Sequence, residues 1–243
     1  MQAKDRIIVA LDIDGSVSDK KELIEQLSPY VGCFKIGLEV IMSYGVVMPV
    51  RFLKNISPAK IFVDSKLNDT PTTIGRSAKI ITSSSDVAMF TVHASAGVEG
   101  MKAAVKNSGG SLVLAVTVLT SLDDYDSKNI FGVPPDVKVI QFAWAAKEAG
   151  ADGFICSARD LAFMNNNKGN KQYFSGMLKV TPSIRPTWAG TDDQKRVATP
   201  TEAIRAGADY LVIGRPITSP PKEVGSPVDA VKRIIEEIET ATA

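Results

Sequence analysis

The chain has 243 residues, 44% of them hydrophobic and 23% charged, an ordinary balance for a soluble globular protein and enough for one α/β barrel or two small domains. A net charge of +1 gives no electrostatic reason to expect nucleic acid or an acidic membrane surface as partner, so any bound anion must be met by local charges. No apolar run approaches membrane-span length, and the opening MQAKDRIIVALD is too short and too soon charged for a signal peptide, which makes the cytoplasm the expected location.

Taken in order, short apolar runs alternate with segments of helical spacing. Strands are predicted over Ile7–Asp12, Cys33–Gly37, Lys60–Asp64, Val87–His93, Leu112–Val118, Gly153–Ser157, Met177–Thr181 and Tyr210–Gly214. Helical spacing occupies Lys20–Leu27, Thr73–Thr82, Val98–Lys106, Val137–Ala149 and Thr201–Ala206. The motif Ala-Gly-Ala-Asp recurs at 149–152 and 206–209, each time closing a helix just before a strand. Eight strands with intervening helices fit a (β/α)8 TIM barrel better than an open sheet, and no low-complexity linker divides residues 1–243, so a single barrel domain is expected. Asn165–Asn170 reads as a polar surface loop. Cys33 and Cys156 lie far apart in apolar surroundings, as buried free thiols do.

Barrel active sites gather at the carboxyl ends of strands. Those ends here carry Asp12, Lys35, Asp64, Lys66, His93, Thr120, Arg185 and Arg215, far more polar than the strands before them. The densest stretch is KIFVDSKLNDTPTTIG at 60–75, where Asp64, Lys66 and Asp69 follow an apolar run at once. If the chain stays extended there, Asp64 and Lys66 point the same way, since side chains alternate with period two. Pro71-Thr72-Thr73 then breaks the strand and leads into a helix.

Each residue also has a plainer reading. Asp12 serves either the site or the cap of the following helix. Lys35 points into the barrel and therefore needs a carboxylate partner. His93, the one histidine, fits a structural or supporting role and leaves no pair for a histidine-based zinc site. Near the C-terminus, Asp192-Asp193-Gln194-Lys195-Arg196 follows the seventh strand and Gly214-Arg215 ends the eighth, the usual place for a phosphate site in this architecture. Gly214 as a glycine opening a helix and Arg215 as a surface cation are the alternatives there.

With these segments in place, the chain resembles the orotidine 5′-phosphate decarboxylase family. The matching segments are IVALD at 8–12, FKIGLE at 34–39, FVDSKLNDTPTT at 62–73, VTVLTS at 116–121, TPSIRP at 181–186, DDQKRV at 192–197 and DYLVIGRPIT at 209–218. The family's Asp-x-Lys-x-x-Asp motif with a following threonine is met by Asp64, Lys66, Asp69 and Thr73. Departures are Asn68 and Thr70, where the family often has histidine and isoleucine, and Ser183, where glycine is common.

The resemblance implies decarboxylation of orotidine 5′-monophosphate to UMP and CO2, without cofactor or metal. It implies a charged network of Lys35, Asp64, Lys66 and Asp69, with Lys66 beside C6 as proton donor. Asp12 and Lys35 would hold ribose hydroxyls, and Thr120 would meet the pyrimidine. Arg185, Gln194, Gly214 and Arg215 would hold the phosphate. Asp69 and Thr73 would reach the ribose in a neighbouring subunit, making a homodimer the functional unit.

Three other readings compete. Magnesium-dependent sugar-phosphate decarboxylases and aldolases share Asp-x-Lys-x-x-Asp, but Lys35, TPSIRP and DDQKRV argue against them. The stretch IVALDIDGSV at 8–17 mimics the Asp-x-Asp-Gly motif of haloacid-dehalogenase-like phosphatases, on ten residues alone. A non-catalytic nucleotide-binding barrel has no use for the full Asp64-Lys66-Asp69 set.

Overall fold

The β-branched and apolar runs of the sequence pair side by side in one closed sheet. The computed structural model describes residues 1–12, 15–190 and 197–242. Its strands are β1 (Ile7–Ala10), β2 (Cys33–Ile36), β3 (Lys60–Leu67), β4 (Val87–His93), β5 (Leu112–Val116), β6 (Gly153–Ile155), β7 (Leu178–Thr181) and β8 (Tyr210–Ile213). All pairings are parallel and sequential, and β8 returns to β1 with Leu211 opposite Ile7, which closes the barrel. The (β/α)8 architecture expected from the alternation is the one found.

The helices are α1 (Lys21–Leu27), α2 (Leu38–Tyr44), α3 (Val47–Ile56), α4 (Pro71–Ile81), α5 (Gly97–Lys106) and α6 (Asp124–Phe131). They continue with α7 (Pro135–Glu148), α8 (Ala158–Asn165), α9 (Lys168–Tyr173), α10 (Pro200–Arg205), α11 (Arg215–Thr218) and α12 (Pro227–Thr242). The five predicted helices correspond to α1, α4, α5, α7 and α10. The expected polar loop over Asn165–Asn170 is corrected: Asn165 closes α8, and Asn167 caps α9 by accepting from the Gly169 and Asn170 amides at 2.9 and 3.2 Å. Asparagine is a strong cap, so its polarity marked a helix start rather than a loop. Among the described residues no helix is long and apolar enough to cross a membrane.

Alternation divides the strands into two faces. Outward residues such as Ile7, Val9, Phe34, Ile36, Ile61 and Val63 pack beneath the helices. Inward residues Ile8, Cys33, Phe62, Met89, Leu114 and Val180 fill the barrel. One step further along the inward rows stand Ala10, Lys35 and Asp64. The barrel interior thus changes from hydrocarbon to charge toward the carboxyl ends.

The repeated Ala-Gly-Ala-Asp motif fixes two of the later strands. Gly150 and Gly207 turn the chain at φ +78° and +96°, a region open to glycine. The aspartate that follows then grips the adjacent strand twice. Asp152 donates its amide to the Val113 carbonyl at 3.0 Å and accepts the Val113 amide on Oδ2 at 2.7 Å. Asp209 makes the same exchange with Lys179, both bonds at 2.8 Å.

Candidate active site

Four charges of alternating sign stand in a row across β1, β2 and β3. Lys35 Nζ lies 2.5 Å from Asp12 Oδ2 and 3.5 Å from Asp64 Oδ2, and Lys66 Nζ lies 2.7 Å from the same Asp64 oxygen. The plainer reading of Asp12 as a helix cap is answered by Ser16, which holds that position in a capping box with Asp19. Gly37 leaves the space that this row needs: a Cβ there would collide with Asp12 Oδ1 and stand 3.0 Å from Lys35 Nζ.

The electrostatics follow from the geometry. Burial alone depresses the Lys35 ammonium, but Asp64 and Asp12 on either side outweigh it and its pKa lies above the ordinary lysine range. Burial likewise pushes the Asp64 carboxyl up, and Lys35, Lys66 and hydrogen bonds from Lys66 and Thr91 together hold it below the usual carboxylate range. Both groups are therefore charged at neutral pH. Alternation of sign is what makes the burial of Lys35 and Asp64, flanked by the more exposed Asp12 and Lys66, tolerable.

Asp64 and Lys66 share a side for a reason other than simple alternation. Strand β3 runs on past Asp64 to Leu67 but bulges on the way. Val63 pairs with Phe90 and Leu67 with Val92, so four steps on β3 match two on β4. Lys66 takes φ +46° inside the bulge, a left-handed conformation rare for a side-chain-bearing residue. Pro71 then opens α4, two residues before the predicted start at Thr73.

The row forms one wall of a cavity of about 560 Å³ at the carboxyl ends of the strands. Asp12, Lys35, Asp64 and Lys66 line it together with Thr120, Arg185, Gly214 and Arg215. The apolar part of the lining includes Phe62, Val116, Val118, Ile155 and Val212. Gly214 lines the cavity and precedes α11 as the helix-opening reading has it. Gln194 and the rest of 192–196 lie outside the described residues.

Asp69 and Thr73 are not brought into this cavity. Asp69 is exposed, accepts from the Thr70 amide at 2.6 Å, and has its pKa lowered by that bond and by the Thr73 and Thr70 hydroxyls. His93 is also absent from the lining. Its Nδ1 is met by the Ser95 amide at 3.2 Å, and burial followed by the nearby Lys66 charge lowers its pKa.

Ser183 lines the cavity at φ +61° and donates to Thr120 Oγ1 at 3.0 Å. The left-handed backbone is the physical reason that glycine suits that position. Cys156 and Pro182 are lining residues with no polar signal in the sequence. Thr91 was missed because one hydroxyl in the apolar run VAMFTVH looks like ordinary strand composition.

Residues 5–234 match the model of the family described as Orotidine 5′-phosphate decarboxylase / HUMPS family. The chain belongs to that family. Among its relatives, an orotidine 5′-phosphate decarboxylase of Heliobacterium modesticaldum is 40% identical over 249 residues, covering 98% of this chain and 97% of the relative. One of Moorella thermoacetica is 39% identical over 250 residues, covering 98% and 94%. The crystal structure of orotidine 5′-phosphate decarboxylase from Lactobacillus acidophilus aligns with TM-score 0.75 at 31% identity, over 96% of this chain and 98% of that one. As an enzyme of the family, the chain keeps its Asp-x-Lys-x-x-Asp motif at the mouth of the barrel, with the first two charges inside the cavity and the third outside.

Proposed function

We propose that this enzyme decarboxylates orotidine 5′-monophosphate to UMP, on a site completed by a second copy of the chain. The observation that carries the reading is the Asp12–Lys35–Asp64–Lys66 row inside a cavity that also holds Arg185 and Arg215. Breaking the bond from C6 to the carboxylate leaves the electron pair on C6, in the ring plane, where the π system cannot spread it. A cation beside C6 stabilises that pair, and Lys66 has the charge and position to act so. The Lys66 ammonium then gives a proton to C6, CO2 departs, and solvent restores the lysine.

The other charges fix Lys66 before substrate arrives, so little reorganisation is needed as charge develops. Asp64 pairs with both lysines, and Lys35 with Asp12 presents a donor and an acceptor to ribose hydroxyls. Thr120 faces the pyrimidine. Arg185, Gly214 and Arg215, joined by Gln194, grip the phosphate, whose binding energy orients the reacting ring. Asp69 and Thr73 serve the ribose in the partner's site, in keeping with their place outside this cavity.

The deciding experiment is loss of orotidine 5′-phosphate absorbance with purified protein and excess EDTA. Conversion to UMP is expected. No conversion, with activity on a sugar phosphate once magnesium is restored, would transfer the chain to the magnesium-dependent members of the superfamily. Lys66→Ala should abolish turnover while UMP binding stays measurable, whereas Arg215→Ala should weaken substrate and product binding alike. Near-normal turnover by Lys66→Ala would sink the assigned chemistry.

A further inference from the structure

Thr91, in the middle of β4, is fully buried and is not part of the cavity lining, yet it touches every residue of the β3 bulge. Its Oγ1 accepts the Lys66 amide at 2.8 Å and donates to Asp64 Oδ1 at 2.9 Å. Its carbonyl accepts the Ser65 hydroxyl at 2.8 Å. It is also the residue of β4 that stands between Phe90 and Val92, the pairing partners at the two ends of the bulge. Three consecutive residues, two of them charged, are thus clipped by one threonine.

From this we infer that Thr91 is a positioning residue of the active site, acting through the bulge to aim the Lys66 ammonium and hold the Asp64 carboxylate. In a regular strand, side chains two apart stand side by side at roughly twice the 3.3 Å rise. The bulge instead brings Lys66 Nζ to 2.7 Å from Asp64, at the expense of a left-handed φ at Lys66. Such a conformation persists only where surrounding bonds over-determine it. The Lys66 amide, turned out of the β3–β4 ladder, finds its acceptor in the Thr91 hydroxyl, and the same hydroxyl proton is committed to Asp64. One side chain therefore couples the backbone of the proton donor to the carboxylate beside it.

The inference rests on the decarboxylase reading for its chemistry but has a readout independent of it. Thr91→Val keeps shape and removes the hydroxyl; Thr91→Ser keeps the hydroxyl. Thr91→Val is expected to lower kcat by about tenfold to a hundredfold, the scale of an ångström-sized misplacement. UMP affinity should change less than about threefold, because Thr91 does not line the cavity. Thr91→Ser should restore most of kcat.

The titration of Asp64, followed by carboxyl 13C NMR, separates aim from general damage. Burial pushes this carboxyl up while Lys35 from β2, Lys66 on its own strand and Thr91 from β4 hold it down. Removing the Thr91 hydroxyl should shift the titration to higher pH in Thr91→Val and not in Thr91→Ser. Unchanged kcat and unchanged Asp64 titration in Thr91→Val overturn the inference, as does a parallel loss of kcat and UMP affinity that Thr91→Ser fails to rescue. If Thr91→Val does not fold, Ser65→Ala carries the test: lowered kcat with full UMP affinity supports the clip, and no change in either overturns it. A wild-type protein without decarboxylase activity defeats the functional reading alone, and the clip is then judged on the Asp64 titration.

Discussion

Gly37 shows how little room the charged row leaves at the scale of single residues. Its φ of −98° is open to any residue, so the glycine is required by space and not by backbone conformation. A Cβ at that point meets the Asp12 carboxylate and the Lys35 ammonium together. Gly37→Ala should fold, at a cost of about 1–3 kcal/mol from overpacking, and should displace the pair expected to hold the ribose. Calorimetric titration with UMP is expected to show an affinity about tenfold weaker, with the decarboxylation step itself less affected. Equal affinity in Gly37→Ala would separate Asp12 and Lys35 from the ribose. The charged residues of this row were legible in the sequence because each ends an apolar strand, a local pattern. Thr91 was not, since its partners Asp64 and Lys66 lie 27 and 25 residues away and only pairing brings them together.

At the scale of elements, all eight strands were legible with their ends within three residues, and five helices were legible within two, while the other helices among the described residues were not. Strands of a parallel barrel are buried on both faces and read as continuous apolar runs. Helix α6 offers no such signal: in Asp124–Phe131 the one buried residue is Ser127, and the helix is set by the Asp123 capping box. Helix α12 does carry amphipathic spacing, with Ala230, Val231, Ile234 and Ile238 buried, and as the helix after β8 it completes the strand–helix alternation, yet it was not among the predicted helices. The bulge in β3 was hidden for another reason: period two predicts the side shared by Asp64 and Lys66 without revealing the two extra residues that bring them together. The Ala-Gly-Ala-Asp repeat yields a test at this scale. Asp209→Ala leaves the Lys179 amide without its side-chain acceptor and should cost about 1–3 kcal/mol in urea unfolding. Asp209→Asn retains an oxygen at that position and should cost less than half as much. Equal losses would mean that the aspartate's charge, and not its bond to β7, stabilises the junction.

At the scale of the whole molecule, the motif is split. Asp64 and Lys66 line the cavity, while Asp69 and Thr73 of the same chain are exposed and outside its lining. On the surface, α2 and α3 expose Met42 and Met48 at 78% and 66%, and α4 exposes Ile80 at 60%. In the proposed two-fold dimer Asp69 of each copy would reach the other's ribose, since an isologous interface repeats every contact twice. The proposal predicts complementation between two inactive chains. Lys66→Ala lacks the proton donor of its own site, and Asp69→Ala lacks the residue lent to its partner. Each should be inactive or severely impaired alone. Mixed and allowed to exchange, half of the dimers pair one chain of each kind. In those dimers the Asp69→Ala chain keeps Lys66 and receives an intact Asp69 from its partner, so one site in two is complete. Specific activity should therefore recover to about a quarter of the wild-type value, rising with the time allowed for exchange. A mixture no more active than the sum of its parts would place Asp69 outside the shared site and return the motif's third charge to its own chain.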